Sequence, residues 1–201
     1  MRILHVLAQL PERTGSGVYF TNVIQELKKY DNVEQACLYG TTKEFDIDIL
    51  DKNRQFEVIF KSEALPFPIV GMSDIMPYES TLYSEMTEEM LEMWKNAFIR
   101  ELNIIKEEFN PDVIISHHLC ILTSIVCDVF RDRKVVGICH NTDIRQAEKN
   151  KEIKKKYVTN LEKLDKIFSL SYSQINDIEK KFGYDKKKVI YLGAGYNGEI
   201  F

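Results

Sequence analysis

Short apolar segments alternate with segments of helical periodicity along all 201 residues of the chain. The apolar segments predict seven strands, at 3–8, 34–40, 56–60, 113–116, 135–139, 166–170 and 188–192. Helical periodicity predicts helices at 18–30, 84–110, 119–130, 144–164 and 173–182. Strands that are apolar on both faces and separated by helices are typical of a parallel sheet covered by helices. We therefore expect an α/β fold, a Rossmann-like doubly wound and mostly parallel sheet of about seven strands with helices on both faces.

Two segments between strands have distinct character. In the segment 84–110, Ser84 is a candidate N-cap, and a stripe that includes Met90, Trp94 and Phe98 predicts one face buried in the core. The segment 62–83 contains three prolines and has no regular pattern. Such a long irregular stretch is either a functional lid or an insertion that packs on the surface, and the sequence leaves both open.

Composition predicts one soluble domain. The chain is 44% hydrophobic and 29% charged, with a net charge of −4 and no apolar run long enough to span a membrane. The N-terminus lacks the pattern of a signal peptide, so we expect a cytoplasmic protein. Cys37, Cys120, Cys127 and Cys139 lie in apolar stretches without C-x-x-C spacing, which predicts buried reduced thiols. No metal site is expected.

The C-terminal quarter is locally basic. Residues 143–188 contain 13 Lys/Arg and 8 Asp/Glu, a net charge of +5. The lysines between Lys149 and Lys156 are interpreted as a solvated helix face. The alternative is contact with a phosphate-rich partner or with the anionic inner face of a membrane. No nucleic-acid-binding signature accompanies them.

The loop after the first strand ends in Gly15-Ser16-Gly17 and leads into a helix. Open backbone N–H groups at such a helix start favour a phosphate or a sugar hydroxyl; the alternative is a flexible loop capped by Thr14 or Ser16. A dinucleotide fingerprint is absent, because Phe20 stands in place of its third glycine and no acidic residue closes the second strand. A P-loop is also absent.

Three of the four histidines follow the ends of two consecutive predicted strands. His117 and His118 follow the strand at 113–116, and His140-Asn141-Thr142-Asp143 follows the strand at 135–139. Ligands of open parallel sheets bind at the carboxyl ends of strands, so we expect at least one histidine to contact a ligand. A nucleophilic triad is disfavoured, because no Gly-x-Ser-x-Gly motif occurs.

Taken in order, these loops resemble the N-terminal domain of retaining glycosyltransferases of the GT-B fold, glycosyltransferase family 4 (group 1 type). The resemblance covers essentially the whole chain. It rests on six short motifs: residues 2–6 (RILHV), 15–18 (GSGV), 111–117 (PDVIISH), 140–143 (HNTD), 167–171 (IFSLS) and 188–197 (KVIYLGAGYN) with Phe201. It implies that residues 1–201 form the acceptor-side half of a two-domain enzyme, with the nucleotide-sugar domain absent from this chain.

The resemblance also implies roles for individual residues. His140 corresponds to the histidine that contacts the donor sugar, and Gly17 to a glycine near the donor diphosphate. The remaining substrate-binding candidates are Gly15, Ser16, His117, His118, Asn141, Thr142 and Asp143. Ser16 and Asn141 stand where the family usually has glycine. The segment 66–86 occupies the position of the loop that shapes the acceptor site.

The implied activity is transfer of a sugar from a nucleotide diphosphate donor to the hydroxyl of a sugar or lipid-linked acceptor, with retention. It would serve glycan or glycolipid biosynthesis and need no cofactor or metal. We expect the isolated 201-residue chain to fold but to have little transferase activity. Two other interpretations remain open: a non-catalytic module that binds carbohydrate or acceptor, and a nucleotide-dependent oxidoreductase.

Overall fold

A computed structural model describes residues 1–195 and contains one sheet of seven parallel strands. The strands run in the spatial order β3-β2-β1-β4-β5-β6-β7. Their bounds are β1 Arg2–Leu7, β2 Glu34–Thr42, β3 Gln55–Phe60, β4 Val113–His117, β5 Lys134–Cys139, β6 Lys166–Ser169 and β7 Val189–Tyr191. All seven predicted strands are present, most with ends shifted by one or two residues. The predicted Rossmann-like α/β fold is confirmed.

Within residues 1–195, six α-helices connect the strands or cover the sheet. They are α1 Gly15–Leu27, α2 Glu88–Glu108, α3 Ile121–Val129, α4 Thr142–Lys149, α5 Lys151–Tyr157 and α6 Tyr172–Phe182. On one face of the sheet, Phe20 and Ile24 of α1 pack against Leu7 and Tyr39. Helices α2 and α3 lie on the opposite face, where they bury a larger apolar cluster. Helices therefore cover both faces, as a doubly wound sheet requires.

Helix α2 is shorter than its sequence pattern predicts. Its N-cap is Thr87, whose side chain accepts a hydrogen bond from the Met90 N–H at 3.2 Å, whereas Ser84 lies in a separate 3₁₀ turn. The expectation that Ser84 caps this helix is therefore wrong. Trp94 and Phe98 are buried as expected, but Met90 is only partly buried.

The segment predicted as one helix at 144–164 is divided. Helix α4 begins at Thr142 and ends before Asn150, which adopts φ −108° and ψ 59°. The Asn150 amide donates to Gln146 Oε1, a side-chain bond across the last turn of α4. After α5, the chain forms only a short 3₁₀ turn at Leu161–Lys163.

The irregular segment 62–83 is packed against the domain. Leu65, Phe67, Ile69, Val70 and Met72 are buried in the core on the α2 face. Pairing of Val70 with Thr81 closes part of the segment into a loop whose tip, Ile75, is 88% exposed. The segment is thus anchored at its base, and its tip reaches the carboxyl edge of the sheet.

The four cysteines are buried and free, as predicted. The basic stretch is partly neutralised: Lys149 pairs with Asp74, and Lys156 pairs with Glu88. Among residues 1–195 there is no helix long and apolar enough to cross a membrane.

Candidate functional site

A cleft of about 430 Å³ lies at the carboxyl edge of the sheet. The loop after β1 and the first turns of α1 form one wall, and His140 with Thr142 forms the other. Met72 and Met76 of the irregular segment border the cleft. The strand order reverses between β1 and β4, which is where ligands bind to doubly wound sheets. Sequence and topology therefore indicate the same location.

Helix α1 begins at the cleft with Thr14 as its N-cap. Thr14 Oγ1 accepts a hydrogen bond from the Gly17 N–H at 3.0 Å. The N–H groups of Gly15 and Ser16 have no hydrogen-bond partner among residues 1–195. Together with the helix dipole, these two groups form a positive end suited to an anion.

The two glycines of the Gly15-Ser16-Gly17 motif have different structural roles. A Cβ at Gly17 would lie 2.8 Å from the Glu12 nitrogen and 2.9 Å from the Leu10 oxygen, so only glycine fits. Gly17 is buried behind the cleft, and its N–H is already bonded to Thr14. Gly15 has open space around it and borders the cleft. A ligand would therefore meet Gly15 and Ser16 rather than Gly17.

Gln9, which the sequence analysis missed, determines how hydrogen bonds are arranged at this helix start. It is 1% exposed, and its Nε2 donates to Thr14 Oγ1 at 2.9 Å and to Ser16 Oγ at 2.8 Å. Its Oε1 accepts from the Met72 N–H at 3.3 Å, which fixes the orientation of the amide. The irregular segment is thus bonded through Gln9 to the start of α1.

The neighbouring donors and acceptors determine the direction in which the Ser16 hydroxyl points. Thr14 Oγ1 accepts from both Gln9 and Gly17, so its own hydrogen points to Ser16 Oγ at 3.1 Å. Ser16 Oγ accepts from Gln9 and from Thr14, which occupies both of its lone pairs. Its own O–H is left to donate into the cleft. The α1 wall therefore offers three donors: two backbone N–H groups and one hydroxyl.

The histidines form a cluster on the opposite wall. His117 Nδ1 lies 3.1 Å from His140 Nε2, and their rings are stacked at an interplanar angle of 16°. The His118 ring lies 4.7 Å from the His140 ring, and Tyr19 of α1 contacts His140 edge-on at 5.4 Å. His117 and His118 are fully buried, so His140 is the histidine that borders the cleft.

Asp143 holds the loops of this wall together. Its buried carboxylate accepts hydrogen bonds from the Leu119 N–H at 2.8 Å and the His140 N–H at 2.9 Å. His118 Nδ1 is 3.7 Å away. The carboxylate thus joins the loop after β4 to the loop after β5, and it does not reach the cleft.

Asn141 lies in a strained turn. Its φ is 68° and its ψ −34°, and the Thr142 N–H bonds to the His140 oxygen at 2.8 Å, which is close to a γ-turn. This backbone is easier for glycine than for asparagine. Asn141 is exposed beside the cleft, and Thr142 borders it.

Burial determines the charge of the cluster. It lowers the pKa of His140 to about 3, with the charge of His118 adding to the effect and Asp143 opposing it. Burial also lowers the pKa of His117 well below its usual value. For Asp143, burial opposes ionisation, but the adjacent His118 ring and the hydrogen bonds from the loop N–H groups outweigh it, so its pKa is lowered. At neutral pH, His117 and His140 are neutral and Asp143 is ionised.

The structure therefore divides the predicted site residues into two groups. Gly15, Ser16, His140 and Thr142 border the cleft, with Asn141 exposed beside them. The residues behind the wall are Gly17, His117, His118 and Asp143. Tyr19 was missed by the sequence analysis, although it lies one helical turn after Gly15. Tyr196, Asn197 and Phe201, which contribute to the family resemblance, lie outside the described residues.

Within residues 1–195, no group of three or more His, Cys, Asp or Glu side chains is arranged to hold a metal ion. His118, His140 and Asp143 lie together, but His118 and Asp143 are enclosed by protein and Asp143 is engaged by backbone donors.

Comparison with known proteins shows the fold. No protein-family model matches the sequence, and no curated protein does. Sucrose-phosphate synthase from Thermosynechococcus elongatus superposes with a TM-score of 0.64 at 11% identity, over 100% of this chain and 50% of that one. The lipopolysaccharide outer core galactosyltransferase WaaB gives 0.61 at 11% identity, over 96% and 45% of the two chains.

A third similar structure is a nucleotide-sugar epimerase. UDP-GlcNAc 2-epimerase from Neisseria meningitidis, bound to UDP-GlcNAc, gives a TM-score of 0.56 at 15% identity, over 95% of this chain and 45% of that one. The chain spans about half the length of these structures. Such low identities establish the fold alone, and that fold is an α/β domain of the kind found in GT-B-like proteins.

Proposed function

We propose that this chain forms one wall of a glycosyltransferase site of the GT-B type. The enzyme would transfer a sugar from a nucleotide diphosphate donor to an acceptor hydroxyl with retention. The observation that carries the proposal is the cleft itself, in which the open N-terminus of α1 faces His140. The likeness to two sugar-transferring enzymes and to an epimerase bound to UDP-GlcNAc supports it.

The residues of the cleft suit the charges of such a reaction. Gly15, Ser16 and the dipole of α1 would bind oxygens of the donor diphosphate and stabilise the charge that develops when it leaves. His140 is neutral at pH 7, because its pKa is about 3, so it would orient a sugar hydroxyl rather than act as a general acid. Met72 and Met76 would contact the acceptor.

The complete activity is proposed for a protein that contains a second α/β half. The structures with this fold are about twice as long as this chain. The base and ribose of the donor would bind to that second half. We expect the isolated 201-residue chain to bind nucleotide diphosphates weakly and to show no turnover, since it supplies only one wall.

The proposal is tested by calorimetry and by product analysis. UDP, UDP-sugars and NAD(H) are titrated into the 201-residue chain, and release of nucleoside diphosphate is followed after addition of the second half and candidate acceptors. We expect His140→Ala to lower sugar-donor affinity about fivefold, the value of one hydrogen bond, while His5→Gln leaves it unchanged. His5 is buried in β1 and does not border the cleft.

The outcomes distinguish the alternatives. Unchanged donor affinity and transfer rate in His140→Ala would refute the role of His140. Tight NAD(H) binding would replace the proposal by an oxidoreductase, and epimerised sugar without transfer would indicate an epimerase. Saccharide binding without any turnover of the completed protein would indicate a binding module.

Peripheral membrane contact is a separate part of the proposal. Lys151 and Lys155 make no ion pair among residues 1–195 and would face anionic headgroups. Each lysine near such a surface contributes about 1 kcal/mol, so we expect weak binding that disappears in Lys151→Glu/Lys155→Glu. Co-sedimentation with phosphatidylserine vesicles measures it, and equal recovery with neutral vesicles would remove this contact.

A further inference from the structure

His140 has one ring nitrogen engaged inside the protein. Its Nε2 lies 3.1 Å from His117 Nδ1, while no hydrogen-bond partner of its Nδ1 occurs among residues 1–195. The Nδ1 atom is therefore the nitrogen of His140 that is available to a ligand in the cleft.

The bond between the two rings couples their tautomers. Both rings are neutral. Because a neutral imidazole has one N–H and one nitrogen lone pair, the hydrogen bond between the two rings contains a single hydrogen. If His117 donates it, His140 must carry its own hydrogen on Nδ1. If His140 donates it, Nδ1 of His140 is an acceptor. His117 thus controls whether the cleft meets a donor or an acceptor.

The surroundings of His117 favour one of these arrangements. Its Nε2 is buried and has no partner in the described part of the chain. Phe20 contacts the His117 ring in a T-shaped arrangement with a centroid distance of 5.2 Å. Among buried backbone groups, an N–H without an acceptor is rarer than an under-satisfied carbonyl, and we extend this preference to the imidazole nitrogens. The hydrogen of His117 is therefore better placed on Nδ1, where His140 accepts it.

We propose that His117 is a positioning residue that donates from Nδ1 to His140 Nε2 and so fixes His140 as an Nδ1–H donor toward the cleft. The opposite wall also presents donors: the N–H groups of Gly15 and Ser16 and the Ser16 hydroxyl. Donors on both walls suit a ligand rich in acceptor oxygens, such as a sugar diphosphate. The contact with that ligand rests on the proposed function, but the tautomer does not.

Nitrogen-15 NMR of the histidine-labelled 201-residue chain tests the tautomer directly. Two-bond proton–nitrogen correlations identify which nitrogen carries hydrogen. In the wild-type chain we expect His140 to be protonated on Nδ1 and His117 on Nδ1. A wild-type His140 with its hydrogen on Nε2 would overturn the proposal without any variant.

Three variants test the dependence on His117. His117→Leu removes the donor, so we expect the Nδ1–H form of His140 to lose its dominance. His117→Asn places an amide N–H near the former Nδ1, so we expect the tautomer to be restored. Asp48→Asn, an exposed change outside the histidine cluster, should leave it unchanged. An unaltered His140 tautomer in folded His117→Leu would overturn the role of His117.

Ligand affinity then separates this inference from the proposed function. We expect UDP-sugar affinity to fall about fivefold in His117→Leu and to recover in His117→Asn. If the tautomer behaves as proposed but the wild-type chain, completed by its second half, binds no sugar diphosphate, the proposed function is wrong and the positioning role of His117 stands.

Discussion

Gln9 lies in the loop after the first strand, and a single buried polar side chain in a loop forms no recognisable motif. Its amide bonds to Thr14, to Ser16 and to the Met72 N–H, and these bonds turn the Ser16 hydroxyl outward. The donor character of the α1 wall thus depends on a residue that is itself 1% exposed.

A double-mutant cycle tests this arrangement. Ser16→Ala should weaken binding of inorganic pyrophosphate about fivefold in the wild-type chain, because one donor is lost. In Gln9→Glu, a carboxylate accepts from both hydroxyls, so Ser16→Ala should then have no further effect. Calorimetry measures the four affinities, and Gln35→Glu, a buried glutamine on β2 away from the cleft, is the control. Equal effects of Ser16→Ala in both backgrounds would show that Gln9 does not act through Ser16.

Asn141 allows a test of backbone strain. At φ 68° a non-glycine residue is strained by roughly 1–3 kcal/mol, part of which glycine relieves. We expect Asn141→Gly to raise the free energy of unfolding by about 1 kcal/mol. The same change at Asn22, an exposed position inside α1, should lower it slightly. Thermal denaturation compares the two, and a lowered melting temperature for Asn141→Gly would contradict the strain.

Helices α4 and α5 show where periodicity fails as a guide to elements. The sequence pattern continues through Asn150, but the helix divides there, because the Asn150 backbone, at φ −108° and ψ 59°, lies outside the helical region. At the start of α4, Asp143 was predicted to bind substrate. Its carboxylate instead joins two strand-end loops through the N–H groups of Leu119 and His140.

Asp143→Asn should therefore destabilise the fold. The change removes a buried charge that accepts hydrogen bonds from two loops, at a cost of about 2–4 kcal/mol. Asp48→Asn, an exposed matched change, should alter stability by less than about 0.5 kcal/mol. Urea denaturation gives both values. A stable Asp143→Asn with reduced ligand affinity would instead support direct contact with substrate.

At the scale of the whole molecule, burying neutral histidines predicts acid sensitivity. Burial lowers the pKa of His5 to about 4, of His140 to about 3 and of His117 well below normal. Below pH 6.5 the unfolded chain binds protons at these positions, but the folded chain does not, so stability falls with falling pH. The loss is roughly 1 kcal/mol per pH unit for each histidine between pH 6.5 and about 4.

Urea denaturation at pH 7, 6 and 5 measures this loss. Removing one of the three buried histidines should remove about one third of the change in unfolding free energy with pH. His5→Gln is therefore expected to make stability less dependent on pH without changing the cleft. A midpoint that stays constant from pH 7 to pH 5 would show that the three histidines are able to take up protons in the folded state.

The sequence by itself determined the strands, the parallel α/β architecture and the edge of the sheet at which the cleft lies. Apolar periodicity is local, and the rule that ligands bind at strand ends needs only the order of the elements. The sequence also named Gly15, Ser16 and His140, which border this cleft, among the candidate site residues. It did not separate these from Gly17, His117, His118 and Asp143, which also follow strand ends at the same edge of the sheet.

Only the tertiary structure decided which of these residues border the cleft and which lie behind it. Burial depends on what packs against a side chain from distant parts of the sequence, as Phe20 does against His117 and Met72 does against Gln9. The direction of the Ser16 hydroxyl and the tautomer proposed for His140 likewise follow from hydrogen bonds between segments. Such bonds form only when the folded sheet brings its loops together, so no local sequence pattern specifies them.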